Sequence, residues 1–223
     1  MDSDLTNSYE YARASVSALR RFTQKRRPAS AILEHCELCN SPLPPTHHHL
    51  MQLSNHEVLC TCTPCSLLFH PQGAGGEKYR LIPDRYLALV HFHITDEQWN
   101  DLQLPVQLAY LYRDSLAERM MAFYPSPAGA MEALLGLEQW AHLVEQNPIL
   151  ATLESDVEAL LLNRVHGRTD YSIVPLDTCY QLVGLMRIHW RGLSGGSTVW
   201  AEIDAFFDRL HKKCELQSAE SAI

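Results

Sequence analysis

The sequence lacks any apolar run approaching eighteen residues, so no segment is expected to cross a membrane as a helix. Its first residues, Met1-Asp2-Ser3-Asp4, are acidic and lead into no apolar stretch of the kind an export signal carries, so none is expected. No GxSxG elbow, Walker A loop or HExxH pair occurs. The glycine-rich Gln72-Gly73-Ala74-Gly75-Gly76-Glu77 lacks GxGxxG order and no strand–helix unit surrounds it, which excludes a phosphate loop. Positive charge is also scarce, with 18 Lys and Arg against 26 Asp and Glu for a net of −8. The deficit is uneven. Residues 1–30 hold Arg13, Arg20, Arg21, Lys25, Arg26 and Arg27 against Asp2, Asp4 and Glu10, a net of +3, which leaves −11 for the rest. An acidic body argues against a nucleic-acid surface on the main domain.

Cysteine is present in a pattern. Five of the seven cysteines fall between Cys36 and Cys65. Cys36-Glu37-Leu38-Cys39 and Cys62-Thr63-Pro64-Cys65 are CxxC pairs with 22 residues between them. Two thiolates on one tight turn grip a tetrahedral ion from one side, and two such turns close an S4 site. With no export signal expected, the spacing favours metal ligation in a reducing cytoplasm over disulfides. Cys36, Cys39, Cys62 and Cys65 are therefore the expected ligands. Asn40 follows the first pair, and Asn tolerates the left-handed conformation that such a knuckle requires.

The chain between the pairs reads as a β-hairpin, with strands over His47–Leu53 and Glu57–Cys62 and a turn at Ser54-Asn55-His56-Glu57. Knuckle, hairpin, knuckle is the layout of a zinc ribbon. A loop centred on Asn55-His56 pairs Met51 with Cys60 and His49 with Cys62, which puts all four side chains on one face. Cys60 or His49 could then replace one ligand, or hydrogen-bond to a ligand from outside. Alternation sends His48 to the face opposite His47 and His49, so the three histidines do not serve one ion.

The expected organisation is a basic arm at 1–30, a metal module at 31–70 and an α+β domain at 78–214. The 46% apolar share supplies a core for a mixed body. Helical spacing in the arm covers 6–24. Strands are expected over 86–94, 105–112 and 119–124 in one sheet, with a further strand at Tyr171–Val174. Thr95-Asp96-Glu97-Gln98 is a capping box for a short helix. A helix through Leu137, Trp140 and Val144 ends at Asn147-Pro148, after the rigid turn Tyr124-Pro125-Ser126-Pro127-Ala128-Gly129. Ser155-Asp156-Val157-Glu158 reads as a second capping box, opening a helix over 156–165. Asp177 is the expected cap of a helix at 178–190, and Ser197 that of one at 198–212. These three helices are expected to cover one face of the sheet.

Catalytic groupings are sparse. Asp156 and Glu158 would face apart on a helix, and Cys179 and His189 would sit about 15 Å apart on theirs. His91 and His93 share a strand face, but read more simply as half-exposed. Asp177, Arg187 and Arg191 gather where helix ends gather charge anyway.

Several short motifs occur in a characteristic order: Cys36-Glu37-Leu38-Cys39, His48-His49-Leu50, Leu59-Cys60-Thr61-Cys62-Thr63-Pro64-Cys65 followed by Leu68-Phe69, Tyr124-Pro125-Ser126-Pro127-Ala128-Gly129, Asp156-Val157-Glu158-Ala159-Leu160-Leu161, and Val174-Pro175-Leu176-Asp177-Thr178-Cys179-Tyr180. With them the chain, over about residues 30–212, resembles an uncharacterised bacterial family of the DUF5947 type, found near genes of uptake nickel–iron hydrogenases. The resemblance implies a cytoplasmic accessory role in hydrogenase assembly or electron supply, and supplies no catalytic residues. The expected protein is then a non-enzymatic accessory factor with structural zinc and a protein partner, a hydrogenase subunit or maturation factor. The alternative is a rubredoxin-like iron–thiolate electron carrier. Against it, the glycine that follows each rubredoxin pair is replaced by Asn40 and Ser66.

Overall fold

In the computed structural model, residues 34–69, 77–104, 106–133 and 137–220 are described. The expected arm helix at 6–24, His70-Pro71 and most of the glycine-rich link lie outside them. Residues His35–Ile223 form one compact unit. It holds two antiparallel sheets. The smaller is built from β1 (His48–Gln52), β2 (Glu57–Thr61) and β3 (Tyr79–Leu81) in the order β2-β1-β3. The larger takes β4 (Leu87–Ala88), β5 (Leu108–Asp114), β6 (Arg119–Ser126), β7 (Gly129–Ala133), β8 (Glu158–Asn163) and β9 (Asp170–Pro175) in the order β4-β9-β8-β5-β6-β7. Five α-helices accompany them among the described residues: α1 (Thr63–Leu68), α2 (Asp96–Asp101), α3 (Leu137–Gln146), α4 (Leu176–His189) and α5 (Gly196–Glu220). The α+β expectation holds at this level, and among the described residues no helix is long and apolar enough to cross a membrane.

The helix expected over 156–165 is instead β8, the strand between β9 and β5. All six of its residues are buried. Ala159 and Leu161 enter a core with Tyr110, Tyr112 and Val174, closed by Leu182 and Met186 of α4 and Val199, Ile203 and Phe206 of α5. Leu160 and Leu162 enter a second core with Leu111 and Ala122, closed by Trp99 of α2 and Leu143 of α3. The helices expected at 178–190 and 198–212, here α4 and α5, do cover one face of the sheet together, and α2 and α3 cover the other. A strand buried on both faces reads as a continuous apolar run, and a run without alternation does not distinguish strand from helix.

The apparent capping box has another purpose. Asp156 adopts φ +68, and its Oδ1 accepts from the Ser115 backbone N–H at 2.7 Å. Its other oxygen is 2.8 Å from Arg80. The Glu158 carboxylate, 0% exposed, accepts from Arg85 Nε at 2.6 Å, Arg85 Nη2 at 2.5 Å and the Glu154 backbone N–H at 2.9 Å. Arg80 lies on β3 and Arg85 in the link from β3 to β4, so this pair of ion contacts pins both to the larger sheet.

Two other expectations are revised. Only Leu87–Ala88 of the 86–94 segment pairs in the sheet, and the stretch carrying His91 and His93 is loop. Asp177 does not cap α4, whose cap position is Pro175 and receives no side-chain bond. The Thr95 capping box is present in both directions, the Thr95 hydroxyl accepting from Gln98 N–H and the Gln98 side chain from Thr95 N–H.

The hairpin turn spans Leu53–His56 and closes on the pair Gln52–Glu57. His56 takes φ +56, and the Asn55 side chain bonds Glu57 on both its backbone N–H and its carboxylate. The loop is therefore centred one residue earlier than expected, and each partner moves by two. His49 faces Cys60, and Met51 faces Val58. Two residues is the repeat of the pleat, so every side chain keeps its predicted face. Met51 and Leu53 join the larger core from this hairpin.

Candidate metal centre

Each CxxC pair is shaped by different local chemistry. In the first, Cys36 N–H donates to Ser41 C=O at 2.8 Å and Asn40 N–H to Cys36 C=O at 2.7 Å, a tight turn closed by Asn40 at φ +61. Asn enters that region at little cost, whereas a β-branched residue pays about 1–2 kcal/mol. Asn40→Gly is expected to leave the urea midpoint nearly unchanged, and Asn40→Val to lower stability by roughly that amount. Equal midpoints for the two variants would remove the left-handed residue from the account. In the second pair, Cys62 is the extended N-cap of α1 (φ −74, ψ 156), with Pro64 in the first turn. Proline suits that position because its missing N–H would have no helical partner. Ser66 N–H donates back to Cys62 C=O at 2.9 Å, so Cys65 rides the first helical turn.

A clasp joins the two pairs. Glu37 N–H donates to Cys60 C=O at 2.9 Å, and Cys60 N–H donates to Glu37 Oε2 at 2.6 Å. The Sγ atoms of Cys36, Cys39, Cys62 and Cys65 all lie within 4.8 Å of one another. Cys39 and Cys62 are the pair at 3.7 Å. A tetrahedron with arms of about 2.3 Å has edges of about 3.8 Å, so the donor set fits one thiolate-ligated ion. The separation is far beyond a disulfide bond, and all four cysteines are free.

Electrostatics divide the four. Cys39 is exposed, and the Ser41 hydroxyl, then the Ser41 backbone, lower its thiol to about 6. Burial works against ionisation of Cys36, but the backbone N–H groups of Cys62, Cys39 and Leu38 outweigh it and lower that thiol as well. Burial, and then the neighbouring sulfurs, push Cys65 up. Four crowded thiols cannot all ionise without a cation among them, and a bound ion supplies that charge. Cys36 and Cys65 are buried against Leu43, with Leu38, Cys60 and Phe69 packed alongside.

Cys60 and His49 stand outside this quartet. His49, Cys60 and His47 offer ligand atoms that form a group of their own. His49 Nδ1 lies 2.6 Å from Asp177 Oδ2, a link between the hairpin and α4. Sequence reasoning missed it because 128 positions separate the two residues and helix capping already accounted for Asp177. A third group, His56 with Asp114 and Asp156, sits under the hairpin turn. His56 Nε2 lies 3.2 Å from Asp114 Oδ2 and Arg80 lies 2.8 Å from Asp156 Oδ2, so the group braces the turn against the sheet. Cys179, completely buried in the larger core, is a packing residue whose thiol burial raises well above its usual range.

Fold and site together define an α+β protein with two antiparallel sheets and a four-cysteine cluster suited to a metal ion. The chain belongs to the family described as "Family of unknown function (DUF5947)", whose model matches residues 35–214. That span takes in both cysteine pairs, the larger sheet and the Asp177 contact. No curated protein and no solved structure matches the chain.

Proposed function

We propose that the protein is a non-enzymatic accessory factor in which Cys36, Cys39, Cys62 and Cys65 hold one structural zinc ion in a zinc-ribbon-like module. The convergence of the four sulfurs carries this reading. A closed S4 zinc has no open position and no redox chemistry, so it contributes folding energy rather than reactivity. What it would brace includes Leu67 and Leu68 of α1, 69% and 54% exposed on the helix that carries Cys65. Adjacent exposed leucines held rigid beside a metal knuckle suit a protein partner. The family resemblance points to the cytoplasm and to a hydrogenase subunit or maturation factor as that partner.

A second reading, an iron–thiolate electron carrier, is favoured by the exposure of Cys39, which would bring one edge of the centre to the surface. Against it, Ser66 lies within α1, so the second turn is not the glycine-closed loop of a rubredoxin. Protein purified aerobically is expected to be colourless and to carry one tightly held zinc by elemental analysis. Stoichiometric iron with visible thiolate charge-transfer absorption would replace zinc by the electron carrier.

A further inference from the structure

We propose that His47, His49 and Cys60 form a second transition-metal site, separate from the four-cysteine centre, with its fourth coordination position open to a neighbouring cavity. The three side chains come together through the observed register. Cys60 on β2 lies directly opposite His49 on β1, and His47, the residue before β1 begins, sets its ring against that of His49. One ligand atom from each falls within 4.8 Å of the others. The two imidazole rings meet edge to face, with centroids 4.9 Å apart.

Both histidines are oriented as metal ligands commonly are. His47 Nδ1 lies 3.0 Å from the Pro44 carbonyl oxygen, and His49 Nδ1 lies 2.6 Å from Asp177 Oδ2. A ring that donates its Nδ1 proton to a carbonyl or carboxylate keeps a lone pair on Nε2 and has its rotation fixed. Asp177 is then a positioning residue, acting through His49. Two imidazoles and one thiolate suit a divalent ion late in the first transition row, such as Zn²⁺, Co²⁺, Ni²⁺ or Cu²⁺.

The site differs in kind from the four-cysteine centre. It has three protein ligands rather than four. A cavity of about 660 Å³ lies beside it, lined by His47, His49, Asp177, Tyr86 and Lys213 among others. Three ligands and an open position allow exchange of the ion, or of a small molecule on it, as a closed S4 site does not. A protein with one braced ion and one exchangeable ion can pass on or sense a metal.

The test starts from the full chain as purified and titrates it with Co²⁺ against a competing chelator. Wild type should take up one added equivalent with tetrahedral cobalt bands and a thiolate charge-transfer band. His47→Ala, His47→Ala/His49→Ala and Cys60→Ser should lose that added equivalent while keeping the tightly held zinc, which reports that they are folded. Asp177→Asn should weaken the added site by about 10–100-fold without moving the tight one. No added equivalent in wild type would overturn the proposal, as would an equal one in His47→Ala and Cys60→Ser. The added equivalent is read separately from the tight zinc, so failure of the four-cysteine reading leaves a different signature, absence of the tight ion.

Discussion

If the proposed zinc is bound by the four cysteines, Cys36→Ser is expected to release it and unfold the segment from His35 to Phe69, and Cys65→Ser to do the same. Structural zinc sites of this type contribute on the order of 10–16 kcal/mol at neutral pH. That is as large as the entire stability of an ordinary domain, about 5–15 kcal/mol. Losing one thiolate removes the closed coordination, and the three sulfurs left behind crowd without a cation. The small sheet has only three short strands and shares Met51 and Leu53 with the larger core. Its loss should therefore also expose part of that core. The measurements are zinc content after gel filtration and proteolysis between residues 35 and 69. Stoichiometric zinc retained in Cys36→Ser, with no new cleavage, would contradict the ligand assignment.

Arg85→Ala is expected to cost about 3–5 kcal/mol, far more than an arginine 39% exposed would suggest. The cost arises at Glu158, whose carboxylate is fully buried on β8 and receives two of its hydrogen bonds from Arg85. Removing the guanidinium leaves one backbone N–H, from Glu154, to hold a desolvated charge. Arg85→Ala/Glu158→Gln should recover part of the loss, because a neutral amide has far less desolvation to offset. Urea denaturation with both variants and a double-mutant cycle reads this directly. A loss below about 1 kcal/mol for Arg85→Ala would mean that the pair behaves as a surface ion pair.

Local chemistry was legible in the sequence where a few adjacent residues decide it. CxxC spacing, Asn40 after the first knuckle, the Thr95–Gln98 box and the apolar stripes of α4 and α5 all lie within one or two turns of chain. The β8 strand was not legible, because Glu158-Ala159-Leu160-Leu161-Leu162-Asn163 is buried on both faces and carries no alternation. Its acidic residues resembled a helix cap, while their actual partners, Arg80 and Arg85, lie more than seventy positions upstream. The hairpin faces were legible although the register was not. Moving the loop centre by one residue shifts each pair by two, which preserves the pleat and brings His49, rather than Met51, opposite Cys60. The His49–Asp177 contact had no local signal at all.

In the proposed site four cysteine thiolates, and no other side chain, surround the tightly held ion. Zinc K-edge absorption of the full chain carrying one equivalent measures this most directly. Four sulfurs at about 2.3 Å are expected around the ion, unchanged in His47→Ala/His49→Ala. A shell containing nitrogen at about 2.0–2.1 Å that disappears in the histidine variant would contradict it, moving the tight ion to a mixed site that includes His49 or His47.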